Sequence, residues 1–413
     1  MDWKKEARNR IQNFKSWKPL ICIQGGGARG AWEAGVLAAL LEAKETSQPV
    51  AIWGTSAGSI NALWASTSPN AAVARNLLDL WIALSCRIVI ATMITVVTLY
   101  SVSVCFLVER GASVSIALFL AIFVAFLVAL LVYILIALMV RLRPPFGIKR
   151  WPGIIPVSLA AKLLPYNRLA ARFYTYFCTA NVQLNSAPIK WNWDTITCFC
   201  MKPNSKTADF VSSSRGGSID ARRAVMCSAA LPVLCRPYWI GDQALLDGGL
   251  LVNLPAGQIF SQGMLGGNCA ICIIPRRLED LNPQDHSDFR TIKFLSEMQS
   301  CQKQARQKVN NFPSNGSAVT TPSHTFAPIL VIQPSSNLRS GLICGFFRPQ
   351  LLRAEFVQGK QQAESLLLLM KNFETNDDCA MRDYLLDDCV IPQADDQPPK
   401  AGWWTNWVNS DWG

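Results

Sequence analysis

Hydrophobic residues recur along the chain in a strand–turn–helix rhythm. Residues 20–23 (Leu-Ile-Cys-Ile) form a short unbroken apolar run. A glycine cluster follows at 25–30, and then residues 31–44, in which Leu37, Leu40 and Leu41 fall on one side of a helix. The same scheme comes next: residues 50–53 are apolar, 54–58 read Gly-Thr-Ser-Ala-Gly, and 59–66 begin a helix. A short apolar run bounded by glycine predicts a strand buried on both faces, and a 3.6-residue period predicts a helix. Units of this kind in succession predict an α/β fold with a mainly parallel sheet. Further strands are expected at 269–274 and 329–332, a helix plus a mobile loop within 280–325, and a late helix at 354–372.

A second pattern interrupts the first. Residues 88–108 and 111–140 carry no charge, and only Glu109 and Arg110 separate them. Each run reaches the roughly 20 residues needed to cross a bilayer core. A transmembrane helical hairpin is therefore expected within 86–143, entered past Arg87 and left past Arg141, Arg143, Lys149 and Arg150. Basic flanks at both outer ends predict that the body and both termini lie on the cytoplasmic side. Residues 1–17 predict a basic amphipathic helix, with Trp3, Ala7, Ile11 and Phe14 on one stripe among Lys4, Lys5, Arg8 and Arg10. Such a helix either lies on an anionic bilayer or packs on its own domain. Within the tail, 373–413, Trp403, Trp404, Trp407 and Trp412 suit a bilayer interface or packing on the body.

Composition sharpens this picture. Half of the 413 residues are hydrophobic and 16% are charged, against about a quarter charged in ordinary soluble domains. The net charge of +11 suits an anionic surface. Nothing resembles a nucleic-acid-binding module, so membrane lipid is the expected partner. Among 14 cysteines, Cys269 and Cys272 are nominally C-x-x-C, but residues three apart in a strand face opposite sides. No second pair with zinc spacing follows, so reduced buried thiols in a cytosol-facing body are expected, with no metal and no cofactor. The polar, basic start holds no secretory signal.

The chemistry centres on Ser56. In Gly54-Thr55-Ser56-Ala57-Gly58 a serine sits between a strand and a helix with small neighbours two positions away, as a nucleophile at a strained turn requires. An ordinary capping serine in a glycine-rich turn is the plainer alternative. Histidine is poorly supplied as a base, because His286 and His324 both lie in polar stretches. Asp247 ends an apolar run ahead of Gly248 and Gly249, and an ionised carboxylate within reach of Ser56 can take its proton. Gly25, Gly26 and Gly27 can present backbone N–H groups to an oxyanion. With Gly30 they also spell G-x-G-x-x-G, but a dinucleotide site expects an acid about 20 residues on. Ser56 occupies that place, which favours the oxyanion reading.

Taken together, GGGARG (25–30), GTSAG (54–58) and DGG (247–249) resemble the patatin-like phospholipase family, in the family's order. The linking segments at 225–232 and 252–255, the second reading Val-Asn-Leu-Pro, resemble it too. The resemblance covers about 18–85 and 150–372 and implies a three-layer α/β/α fold. It further implies a lipid acyl hydrolase with Ser56 as nucleophile, Asp247 as base, an oxyanion hole of Gly25, Gly26 and Gly27, and Arg29 near an anionic head group. The inserted hairpin departs from the family. Two other readings stay open: a lipid transacylase using the same dyad, and a non-catalytic membrane scaffold or lipid-binding module.

Overall fold

The computed structural model describes residues 19–43, 46, 49, 51–67, 72–110, 113, 116, 123, 196–202, 207–212, 225, 227–229, 238–240, 243–250, 252–255, 269–310, 329–341, 344–372, 384 and 389–393. The expected N-terminal helix, nearly all of the second apolar run and the tryptophan-rich tail lie outside these residues.

Eight strands form one sheet: β1 (Pro19–Ile23), β2 (Ala51–Thr55), β3 (Ile196–Lys202), β4 (Thr207–Ser212), β5 (Tyr238–Ile240), β6 (Gln243–Asp247), β7 (Cys269–Ile273) and β8 (Ile329–Ile332). The order is β5-β6-β3-β2-β1-β7-β8, with β4 also paired to β3. The run from β3 to β8 is parallel, and the β4, β5 and β6 pairings are antiparallel. The apolar runs become strands because each is covered twice. Alternate residues point to opposite faces, so Ile21, Ile23 and Ile52 join one core while Leu20, Cys22 and Trp53 join the other.

Helices α1 (Gly30–Glu42), α2 (Ala57–Thr67), α3 (Val73–Glu109) and α5 (Pro349–Asn372) line the first core, and α4 (His286–Asn310) lines the second. This is the expected three-layer arrangement. Helix α1 is buried from Gly30 through Leu41, as a helix held between a sheet and a further helix must be. Helix α5 begins five residues before the expected boundary because Pro349 suits a first helical turn, where its missing N–H is not needed.

The expected transmembrane hairpin has no support among the described residues. Among the described residues no helix is long and apolar enough to cross a membrane. The first apolar run is not an independent helix. It continues α3, whose opening turns bury Leu77 and Trp81 in the core. The helix does end at Glu109, where a break was expected, and Arg110 lies 5.1 Å over the Phe106 ring.

Candidate active site

Strand β3 aligns the site. Parallel β2 runs beside it as far as Thr55, opposite Phe199. Antiparallel β6 reaches it with Asp247 opposite Cys200, the next residue along. Because β4 takes its own pairing along 197–202, β2 and β6 meet end to end on the remaining edge of β3. The residue after Thr55 is Ser56. Two segments nearly 200 positions apart thus deliver Ser56 and Asp247 to one spot.

Ser56 is the only non-glycine residue with positive φ among those described, at 52°. A left-handed backbone costs an L residue about 1–2 kcal/mol, and the surroundings hold it. Its carbonyl accepts from the N–H of Ser59 (3.0 Å) and Ile60 (3.3 Å), which locks the elbow to the start of α2. Its own N–H donates to Ser228 Oγ at 3.0 Å. The flanking glycines are demanded by space: a Cβ on Gly54 would stand 2.5 Å from the Gly58 carbonyl carbon, and one on Gly58 2.6 Å from the Ile23 carbonyl oxygen. The N-terminus of α2 favours negative charge beside Ser56.

Asp247 is 1% exposed. Its Oδ1 accepts from the Gly249 N–H at 2.7 Å, while Oδ2 has no hydrogen-bond partner among the described residues. Burial pushes the carboxyl up to about 7, against the opposing pull of the Ser56 hydroxyl and the Gly249 N–H. The hydroxyl therefore lies near the carboxyl without a regular hydrogen bond to it, and catalytic hydrogen bonds of this kind tighten when substrate arrives.

The three expected oxyanion donors prove unequal. The Gly25 N–H is committed to Asn253, through Oδ1 at 3.0 Å and the carbonyl at 3.2 Å. The N–H groups of Gly26 and Gly27 have no partner among the described residues, and Gly27 adopts φ 56° at the start of a single 3-10 turn, Gly27–Arg29. Gly25 instead forms a wall: a Cβ on it would lie 3.0 Å from Ser56 Cβ. Arg29 is half-buried, and its charge acts on the carboxyl of Glu33.

Asn253 and Ser228 are site residues that the sequence reading did not single out. Both stand inside the linking segments, 225–232 and 252–255, whose resemblance to the family is the signal that points to them. Of the histidines, His286 opens α4 and His324 lies outside the described residues. Cys272 aligns with Cys22 on β1 rather than with Cys269, and burial pushes the Cys22 thiol up. Among the described residues no three His, Cys, Asp or Glu side chains are grouped to hold a metal.

The site thus brings together a serine on a strained strand-to-helix elbow, a buried aspartate and a glycine turn within an α/β fold. The family profile described as "Patatin-like phospholipase" matches residues 21–260, more than half of the chain. The chain belongs to the patatin-like phospholipase family and is a lipid hydrolase. No curated protein sequence matches it. Among solved structures, VipD from Legionella pneumophila is 13% identical with a TM-score of 0.37, over 93% of this chain and 73% of that one. The type III effector protein ExoU is 17% identical with a TM-score of 0.31, over 86% of this chain and 53% of that one. Both scores lie below one half.

Proposed function

We propose that this lipid hydrolase cleaves acyl esters through a Ser56–Asp247 dyad and an acyl-serine intermediate. The observation that carries the reading is the meeting of β2 and β6 on β3, which brings a strained serine to a carboxyl that titrates at about 7. Ser56 Oγ attacks the ester carbonyl as Asp247 takes its proton. The carbonyl oxygen becomes negative and is met by the N–H groups of Gly26 and Gly27, with Gly25 shaping the wall. The tetrahedral intermediate collapses, and the alcohol leaves with the proton from Asp247. Water, deprotonated by Asp247, then attacks the acyl-serine; the second tetrahedral intermediate collapses, Ser56 Oγ leaves with the proton held on Asp247, and the fatty acid is released. An alcohol acceptor in place of water would make the same dyad a transacylase, and analysis of products formed with added glycerol separates the two.

The test uses a fluorophosphonate probe and vesicles of phosphatidylcholine and phosphatidylglycerol. The wild type should be labelled at Ser56 and should release fatty acid, and Ser56→Ala should do neither. Fatty-acid release by Ser56→Ala at the wild-type rate would end the reading.

The catalytic body on this reading comprises 18–85 and 150–372, and the exposed apolar end of α3 attaches it to the surface of a bilayer. Exposed Val102 (60%), Phe106 (55%) and Val108 (40%) on the outer half of α3 support attachment, as does the net charge of +11. Arg29 is the residue proposed to meet an anionic head group. Replacing 88–140 by a short polar linker should abolish co-sedimentation with anionic vesicles and spare hydrolysis of a soluble short-chain ester. Undiminished sedimentation of that variant would remove the segment from any membrane role.

A further inference from the structure

A carboxylic acid unused by this reaction lies against the glycine turn. Glu33, in the first turn of α1, is fully buried. Its Oε2 accepts from Asn61 Nδ2 at 3.4 Å. The same Nδ2 donates to the Gly30 carbonyl at 2.9 Å, and Asn61 Oδ1 accepts from Trp81 Nε1 at 2.9 Å. The other Glu33 oxygen, Oε1, has no hydrogen-bond partner among the described residues. It packs on Gly26: a Cβ there would stand 3.0 Å from it. Gly26 is one of the two residues with an open N–H. The turn that would receive an oxyanion therefore rests on a buried acid, itself bracketed by α2 and α3.

We propose that Glu33 is a positioning residue of this esterase, propping the Gly26 turn through its Asn61 bracket and working as an uncharged acid. The proposal rests on Gly26 and Gly27 being the oxyanion donors. A carboxylate packed on those donors, in a site shielded from water, would oppose the negative charge that the acyl oxygen acquires. Burial holds the carboxyl well above its ordinary range, outweighing the hydrogen bond from Asn61 and the charge of Arg29. Arg29 is the charged group acting on it. The bracket from α2 and α3, Asn61 and Trp81, is uncharged. On α5, Lys360 pairs with Glu42 and Glu355 accepts from the Ser340 N–H.

Hydrolysis of p-nitrophenyl butyrate by the full chain, followed across pH, tests this. The wild-type rate should rise near 7 as Asp247 ionises and fall again at alkaline pH as Glu33 ionises. Glu33→Gln, neutral at every pH, should keep kcat within a few-fold near neutrality and lose the alkaline fall. Glu33→Ala should lower kcat roughly tenfold or more with KM little changed, since misplacing catalytic groups by about 1 Å can cost 10²-fold. An identical alkaline fall in Glu33→Gln would overturn the proposal, and so would wild-type kcat in a folded Glu33→Ala. If Glu33→Ala does not fold, the Glu33→Gln profile decides alone. Failure of the parent reading looks different: Ser56→Ala would then hydrolyse the ester as well as the wild type, whatever Glu33 does.

Discussion

Replacing Asp247 by asparagine is expected to lower kcat by about 10²–10⁴-fold, the usual share of a general base, while making the protein more heat-stable. The two effects share one cause. Folding moves the carboxyl from its ordinary 3.8 to about 7, with burial the largest contribution. Between those values the native state holds more proton than the unfolded chain, so stability falls as pH rises through the window. The loss is complete above about 7, where the proposed base is ionised. Asparagine has no charge to bury, and its side-chain oxygen can still accept from the Gly249 N–H. The Tm difference between variant and wild type should therefore be small near pH 4, grow toward pH 7 and level off above it. Melting curves at pH 4, 5.5, 7 and 8.5 check this, and a Tm difference independent of pH would refute it. The wild-type kcat/KM should climb over the same window in which stability falls.

Gly35→Ala is expected to be among the most damaging single changes to the fold. Helices α1 and α5 cross where two glycines let their backbones touch. A Cβ on Gly35 would lie 2.0 Å from the Phe356 carbonyl oxygen, and one on Gly359 2.2 Å from that of Trp32. Both obstacles are backbone, so no rotamer change relieves them. Alanine favours a helix over glycine by up to about 1 kcal/mol, but overpacking costs about 1–3 kcal/mol and occasionally more. A net loss of about 1–2 kcal/mol follows, at the upper end because both obstacles are backbone. Urea unfolding should show a lower midpoint with an unchanged slope, and a midpoint within error of wild type would show that α1 and α5 separate at little cost. Since α1 begins where the glycine turn ends, the variant should also lose activity before it unfolds.

The parts legible in the sequence were those set by local pattern. Strands β1, β2, β7 and β8 grow from short apolar runs, and their expected boundaries differ from the observed ones by two residues at most. Gly54 and Gly58 announce the elbow because close packing there admits no side chain. The rest depends on contacts distant in sequence. Strand β3 lacks a clean apolar run, and its role comes from register against β2 and β6, which no local pattern encodes. Gly25, Gly26 and Gly27 look equivalent as letters, yet Asn253, more than 200 positions away, engages only the first. Residues 88–108 score as a membrane span on hydropathy alone, because hydropathy does not show that the same helix begins inside the core with Leu77 and Trp81.

The edge of β3 also explains what this chain can accommodate. Thr55, the residue before Ser56, and Asp247 pair with neighbouring positions, Phe199 and Cys200, so the separation of serine and aspartate is independent of the chain length joining the segments. Connections such as the one between α2 and β3 can grow without moving either group. The apolar segment occupies one such permissive gap. A single residue added within β3 between its β2 and β6 contacts would instead slide Asp247 by about 3.3 Å and reverse the facing of side chains beyond it. The molecule is thus tolerant of large additions in its connections and intolerant of the smallest one along a single seven-residue strand.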